Sequence, residues 1–309
     1  MQRNIIICLF SLLLSLNYSC TNSTDKKDTV KLDDEDKKSE YDSEITLSLC
    51  DGISITFVLI PAGTFRMGRE LSPHEMHRLY KDLDKHTSDW GMPEFLREPS
   101  FDVTITEPFY LSVYEITQQQ YAQIMGSNPS KTVGKNHPVE SVTWYDAMEY
   151  CKKVSSISGF TLTLPTQAQW ENACRGGSRT AYHFGDDIAL LDQYAWYRGN
   201  SENKTHPVGL KNPNQYGLYD MHGNVLELSL DGYFPYTDGH KIDIRGDDHV
   251  DVAPKGGSYR HGYFGCRSFM RDSFPRTFKD HNVGFRVCIN SKSHIRRQYP
   301  DISTTGNTN

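Results

Sequence analysis

Apolar and polar residues alternate early in the chain. Ile53, Ile55 and Phe57 share one face, and Val58-Leu59-Ile60-Pro61 leads through Ala62-Gly63 into Thr64-Phe65-Arg66-Met67-Gly68. Period two interrupted by glycine predicts strand, turn, strand. Val103 with Ile105, and the run Phe109–Val113, predict further strands. Residues 69–100 are charged, with Leu71, Met76, Leu79, Tyr80 and Leu83 at roughly helical spacing, which predicts an inserted surface helix. Three helix starts share one device. Thr117 is followed three residues on by Gln120, Thr143 by Asp146 and Thr166 by Gln169. Each pair predicts a capping box, and Gly126, Gly159 and Gly176 predict the left-handed exits. Beyond residue 177 helix signals fade, and Gly, Asn, Asp and aromatic residues dominate.

The ends read differently. Arg3 precedes an apolar run from Ile5 to Leu16, too short to span a bilayer stably, and then Ser19-Cys20. This looks like a bacterial lipoprotein signal over 1–19, cleaved so that Cys20 carries lipid. An ordinary signal peptide with a chance cysteine is the alternative. Residues 20–44 are polar and of mixed charge, a flexible tether. A single domain spans 45–292, and 293–309 is a polar tail. Thr21 gives no inner-membrane retention aspartate, so the expected location is the cell envelope, lipid-anchored, at the outer rather than the inner membrane.

Charge and composition narrow the class. Lys and Arg number 33 against 39 Asp and Glu, a net charge of −6. A general nucleic-acid binder carries a basic excess, so no nucleic-acid partner is expected. With 18 Tyr, 14 Phe, 23 Gly and 14 Pro, the composition suggests a loop-rich domain rather than a helical bundle.

Six segments in order resemble the formylglycine-generating enzyme family, also called the sulfatase-modifying factor domain. They are Ile60–Gly68; Tyr114–Thr117 with Tyr121; Pro138-Val139 through Trp144, Asp146-Ala147 and Tyr150-Cys151; Leu164–Thr166 with Trp170-Glu171 and Arg175–Gly177; Tyr216–Val225; and Gly256–Ser258 with Gly284–Arg286. The resemblance implies an α+β fold similar to C-type lectins, with much irregular structure. It also implies a copper site of two cysteines at C-x4-C spacing after the Gly-Gly-Ser turn. Here Cys266 takes the second place and His261 the first, so the paired thiolates wanted by Cu(I) are missing. Ser258, His261 and Cys266 are the catalytic candidates, and copper is not expected. Leu226 and Leu228 replace the family's tryptophans.

The same resemblance implies a calcium site at Asp220, Gly223, Val225 and Glu227, two side chains with two backbone oxygens between them. The competing reading is a tight turn held by local amides. A second ion site at Ala195 and Trp196 lacks a side-chain ligand. The resemblance implies disulfides at Cys151, paired with Cys288, and at Cys174, whose family partner falls at Arg271; Cys266, the nearest thiol in sequence, is taken as the partner of Cys174, with Cys50 left over. The histidines 206, 222, 240, 249, 261 and 281 show no metal-ligand spacing, and Asp243, Asp247, Asp248 and Asp251 read as a solvated loop.

The expected function is a non-catalytic binding or scaffold protein whose partner is a protein, peptide or glycan. Tyr259–Phe264 with Tyr233, Phe234 and Tyr236 are expected to form its aromatic surface. Two alternatives stay open: an active formylglycine-generating-type oxidase or other family enzyme with a rearranged site, and a diversified lectin-like ligand-binding protein.

Overall fold

The computed structural model describes residues 41–49, 52–69, 99–247 and 251–290. The signal peptide, Cys20, most of the tether, the expected helix over 69–100, Cys50, Asp248, His249 and the tail lie outside the described residues.

Among the described residues, ten strands and four α-helices are scattered through irregular chain. The main sheet runs in the order β1 (Glu44–Ser48), β2 (Ser54–Ile60), β5 (Phe109–Ser112), β10 (Cys288–Asn290), β6 (Leu162–Thr163), all antiparallel. A second sheet joins β3 (Gly63–Met67), β4 (Phe101–Ile105) and β8 (Lys241–Ile242). A short parallel pair joins β7 (Leu226–Glu227) to β9 (Val283–Gly284). The alternation read in β2 is real: Ile55, Phe57 and Ile60 are buried, while Ser54 is exposed.

Three helices begin and end as the sequence predicts. They are α1 (Gln118–Met125), α2 (Trp144–Ser158) and α3 (Gln167–Arg175), each opened by its complete capping box and closed by a left-handed glycine. A one-turn α4 (Leu191–Tyr194) follows. The Thr hydroxyl takes an orphan amide of the first turn, and the third side chain returns the bond to the cap amide. In α2 this works with a shorter partner: Asp146 Oδ2 accepts from Thr143 N at 2.9 Å, while Thr143 Oγ1 accepts from Asp146 N at 3.1 Å.

The largest core cluster packs the sheet against α1 and α2 through Phe57, Tyr110, Tyr121, Tyr150, Val154 and Phe285. Tyr121 and Tyr150 stack at 5.7 Å, with Phe285 edge-on to both. Aromatic rings supply the area that the few aliphatic residues cannot.

Candidate functional site: a Gly-Gly-Ser turn above a buried carboxylate cluster

Gly256 and Gly257 hold φ of 90° and 69°, a region that L side chains avoid. A Cβ on Gly257 would meet Gly265 O at 2.7 Å and Cys266 Sγ at 3.0 Å. The turn therefore presses against the 3-10 turn Tyr263–Cys266 and brings Ser258, His261 and Cys266 together. Ser258 Oγ lies 2.8 Å from His261 Nδ1, and accepts from Asn282 Nδ2 at 3.2 Å and Arg260 N at 3.3 Å. Its own proton therefore goes to Nδ1. The imidazole proton is left on Nε2, which faces Asp272 Oδ2 at 3.6 Å.

The residue types match a Ser-His-Asp triad, but Ser258 has no exposed surface and its oxygen is saturated with donors. The arrangement fixes the loop. Cys266 is likewise fully buried, and burial pushes its thiol up to about 12. It is a protonated thiol at neutral pH, poor both as nucleophile and as metal ligand. The adjoining cavity, lined by Leu226, Gly257, His261, Gly265, Met270 and Asp272 among others, measures about 20 Å3. That is room for about one water molecule.

The structure corrects the disulfide expectation. Cys151, Cys174, Cys266 and Cys288 are all buried free thiols. Cys174 sits with Trp170 and Met221, whereas Cys266 sits with Tyr182 and Leu191. Cys288 lies beside Cys151; burial first, and that neighbour second, push its thiol up. Apolar surroundings keep such thiols protonated.

The aromatic surface is also corrected. Tyr259 and Tyr236 are buried, and Tyr263, Phe264, Tyr233 and Phe234 are half-buried. Tyr233 and Tyr236 hold the buried Arg271 guanidinium at 4.1 and 3.8 Å from their ring centres. The rings serve that cation rather than solvent.

The calcium candidates belong to a buried charge cluster. Glu227 takes Arg286 in a fork, Nε to Oε2 at 2.6 Å and NH2 to Oε1 at 2.7 Å, and Oε2 also accepts from Trp170 Nε1 at 2.6 Å. Asp220 Oδ2 accepts from Gly209 N at 2.8 Å, while its Oδ1 is buried without a partner. Burial pushes Asp220 up to about 6. Glu115 completes the cluster and went unseen in the sequence. It accepts from Val225 N at 3.0 Å and Asn224 Nδ2 at 2.7 Å. Burial, then the charges of Asp220 and Glu227, hold it well above the usual carboxylate range.

Three carboxylates thus share one guanidinium. The orphaned Asp220 Oδ1 suits a hard cation, whereas both oxygens of Glu227 are engaged. Among the described residues, no group of three or more His, Cys, Asp or Glu side chains is arranged to hold a metal ion. At Trp196, where a second ion site already lacked a side-chain ligand, the Lys211 ammonium sits 3.9 Å above the ring, and His206 stacks on that ring at 3.8 Å.

A histidine pair was missed because His183 carries no motif. His183 Nδ1 lies 2.9 Å from His222 Nε2, and His222 Nδ1 lies 2.8 Å from Cys266 O. A carbonyl only accepts, so His222 is protonated on Nδ1 and takes the His183 proton on Nε2.

The mixed sheets, capped helices and Gly-Gly-Ser turn define an α+β domain of the lectin-like, loop-rich kind. The model of the sulfatase-modifying factor enzyme 1-like domain matches residues 54–291, and the chain belongs to that family. Chaperone protein LppX of Paenibacillus barcinonensis is 33% identical over 41% of this chain and 62% of its own length. The formylglycine-generating enzyme of Mycobacterium tuberculosis is 35% identical over 50% of this chain and 57% of its own. The chain thus spans less than two thirds of either relative. Among solved structures, Treponema denticola variable protein 1 superposes with a TM-score of 0.68 at 24% identity, covering 81% of this chain and 99% of that one. PvdO from Pseudomonas aeruginosa gives 0.61 at 24% identity, over 80% and 98%. These two share the fold.

Proposed function

We propose that this chain is a non-catalytic binding or scaffold protein on a sulfatase-modifying-factor frame, tethered by lipid at Cys20 to the bacterial envelope, at the outer membrane. One observation carries the reading. Where copper chemistry needs two exposed thiolates, the chain has a fully buried Cys266 and a His261 already spent on Ser258 and Asp272. The cavity of about 20 Å3 beside them has no room for a peptide cysteine. The relative named a chaperone supports a protein partner, with peptide or glycan as the other ligand classes.

The reading includes a structural calcium ion at Asp220 with the backbone oxygens of Gly223 and Val225. The orphaned Asp220 Oδ1 supports it. Calcium would neutralise buried carboxylate charge and fix the turn; Glu227 would stay with Arg286.

The similarity to formylglycine-generating enzymes favours a second reading, an oxidase with a rearranged site. Incubation with a cysteine-containing sulfatase peptide, copper and oxygen decides between them. Unchanged peptide mass is expected, and conversion of the cysteine to formylglycine would overturn the proposal. Intact mass of protein purified from membranes should show acyl chains on Cys20, and an unmodified Cys20 contradicts the anchor.

A further inference from the structure

A cavity of about 500 Å3 opens between β3 and the C-terminal end of α3, and it shares no lining residue with the small cavity at His261. Part of its wall is fixed. Arg175 donates to Glu171 Oε1 at 3.0 and 2.8 Å, to Gly68 O at 2.9 Å and to Thr180 O at 3.2 Å. Arg66 is tied to Ser100 Oγ at 2.9 Å and to Asp102 at 3.5 Å.

Other lining groups lack such ties among the described residues. Asn172 is buried to 9% exposure, yet its side-chain amide makes no hydrogen bond. Arg179 is exposed and pairs with no carboxylate, and the half-buried Tyr216 hydroxyl has no partner. The Asn172 amide keeps solvent access at the cleft wall, so its donors and acceptor are open to a group bound there. Phe65 and Tyr216 add ring surface beside these polar groups.

The chemistry narrows the ligand. A lone inorganic anion is far smaller than the space, and polar walls reject an acyl chain. A planar amide, a phenol and two ring surfaces suit a hydroxylated ring, and a free guanidinium suits a carboxylate on it. We propose that this cleft binds an acidic sugar residue, its carboxylate on Arg179 and its hydroxyls on Asn172 and Tyr216. This goes beyond the binding-protein reading, which names neither the place nor the ligand. It stands whether or not copper chemistry is lost.

Calorimetric titration of the whole mature protein with glucuronate, glucose and acetate tests it. Glucuronate should saturate one site and bind more tightly than glucose or acetate. Arg179→Gln, an exposed change that leaves the fold alone, should weaken glucuronate about tenfold or more, the effect of one lost charged hydrogen bond. Asn172→Ala should weaken glucuronate and glucose together. No saturable glucuronate binding, equal affinity in Arg179→Gln, or acetate binding as tightly as glucuronate would each overturn the proposal.

Discussion

Lys255 Nζ lies 2.8 Å from Glu171 Oε2, and neither side chain has any exposed surface. Arg175 takes the other oxygen of the same carboxylate at 2.8 Å, also buried. Burial works against Glu171 as an anion, but the two cations together hold it below its ordinary range. The network links α3 to the strand of chain just before the Gly-Gly-Ser turn. It also anchors Arg175 in the wall of the larger cleft.

Removing the shared anion should therefore cost more than a surface change. Glu171→Gln strands two buried cations, and such a break costs about 3–5 kcal/mol. Urea unfolding should show a lowered midpoint with unchanged slope. A loss below about 1 kcal/mol would mean the pair is solvated rather than buried.

Acid should destabilise the domain through His183. Burial lowers its pKa to about 4 from an ordinary 6.5, so the folded state holds it neutral. The unfolded chain takes up the proton first. Stability from this group is therefore full above pH 6.5 and declines as pH falls from there toward 4, by on the order of 3 kcal/mol. His183→Gln should flatten that part of the stability–pH curve. An unchanged curve would assign the acid sensitivity elsewhere.

Calcium should raise the melting temperature. A ligand present at about 100 times its Kd adds about 2.7 kcal/mol to folding. The melting point should rise in calcium chloride against chelator, and Asp220→Asn should shrink the difference. Identical curves in wild type would remove the ion from the account.

Local signals in the sequence reached further than long-range ones. Thr117, Thr143 and Thr166 were legible because a capping box needs only residues three apart. β2 was legible because alternate residues meet one core face. The site was legible only as a motif. Glu115 bonds Asn224, 109 positions away, and His183 meets His222, 39 positions away; no spacing rule joins them. The same blindness produced the two corrections. Tyr233 and Tyr236 look like surface rings until Arg271 is seen between them. Cys174 and Cys266 look like disulfide partners until their separate apolar clusters are seen. Asn172 has no sequence signature at all, because its interest lies in the bonds it does not make.

The most direct test is Cu(I) titration of reduced, mature protein with thiol counting, run beside Cys266→Ser. The account predicts no stoichiometric Cu(I) binding that depends on Cys266, and a thiol there that reacts with alkylating reagent only after unfolding. One Cu(I) bound per chain and lost in Cys266→Ser would show a working metal centre and contradict it.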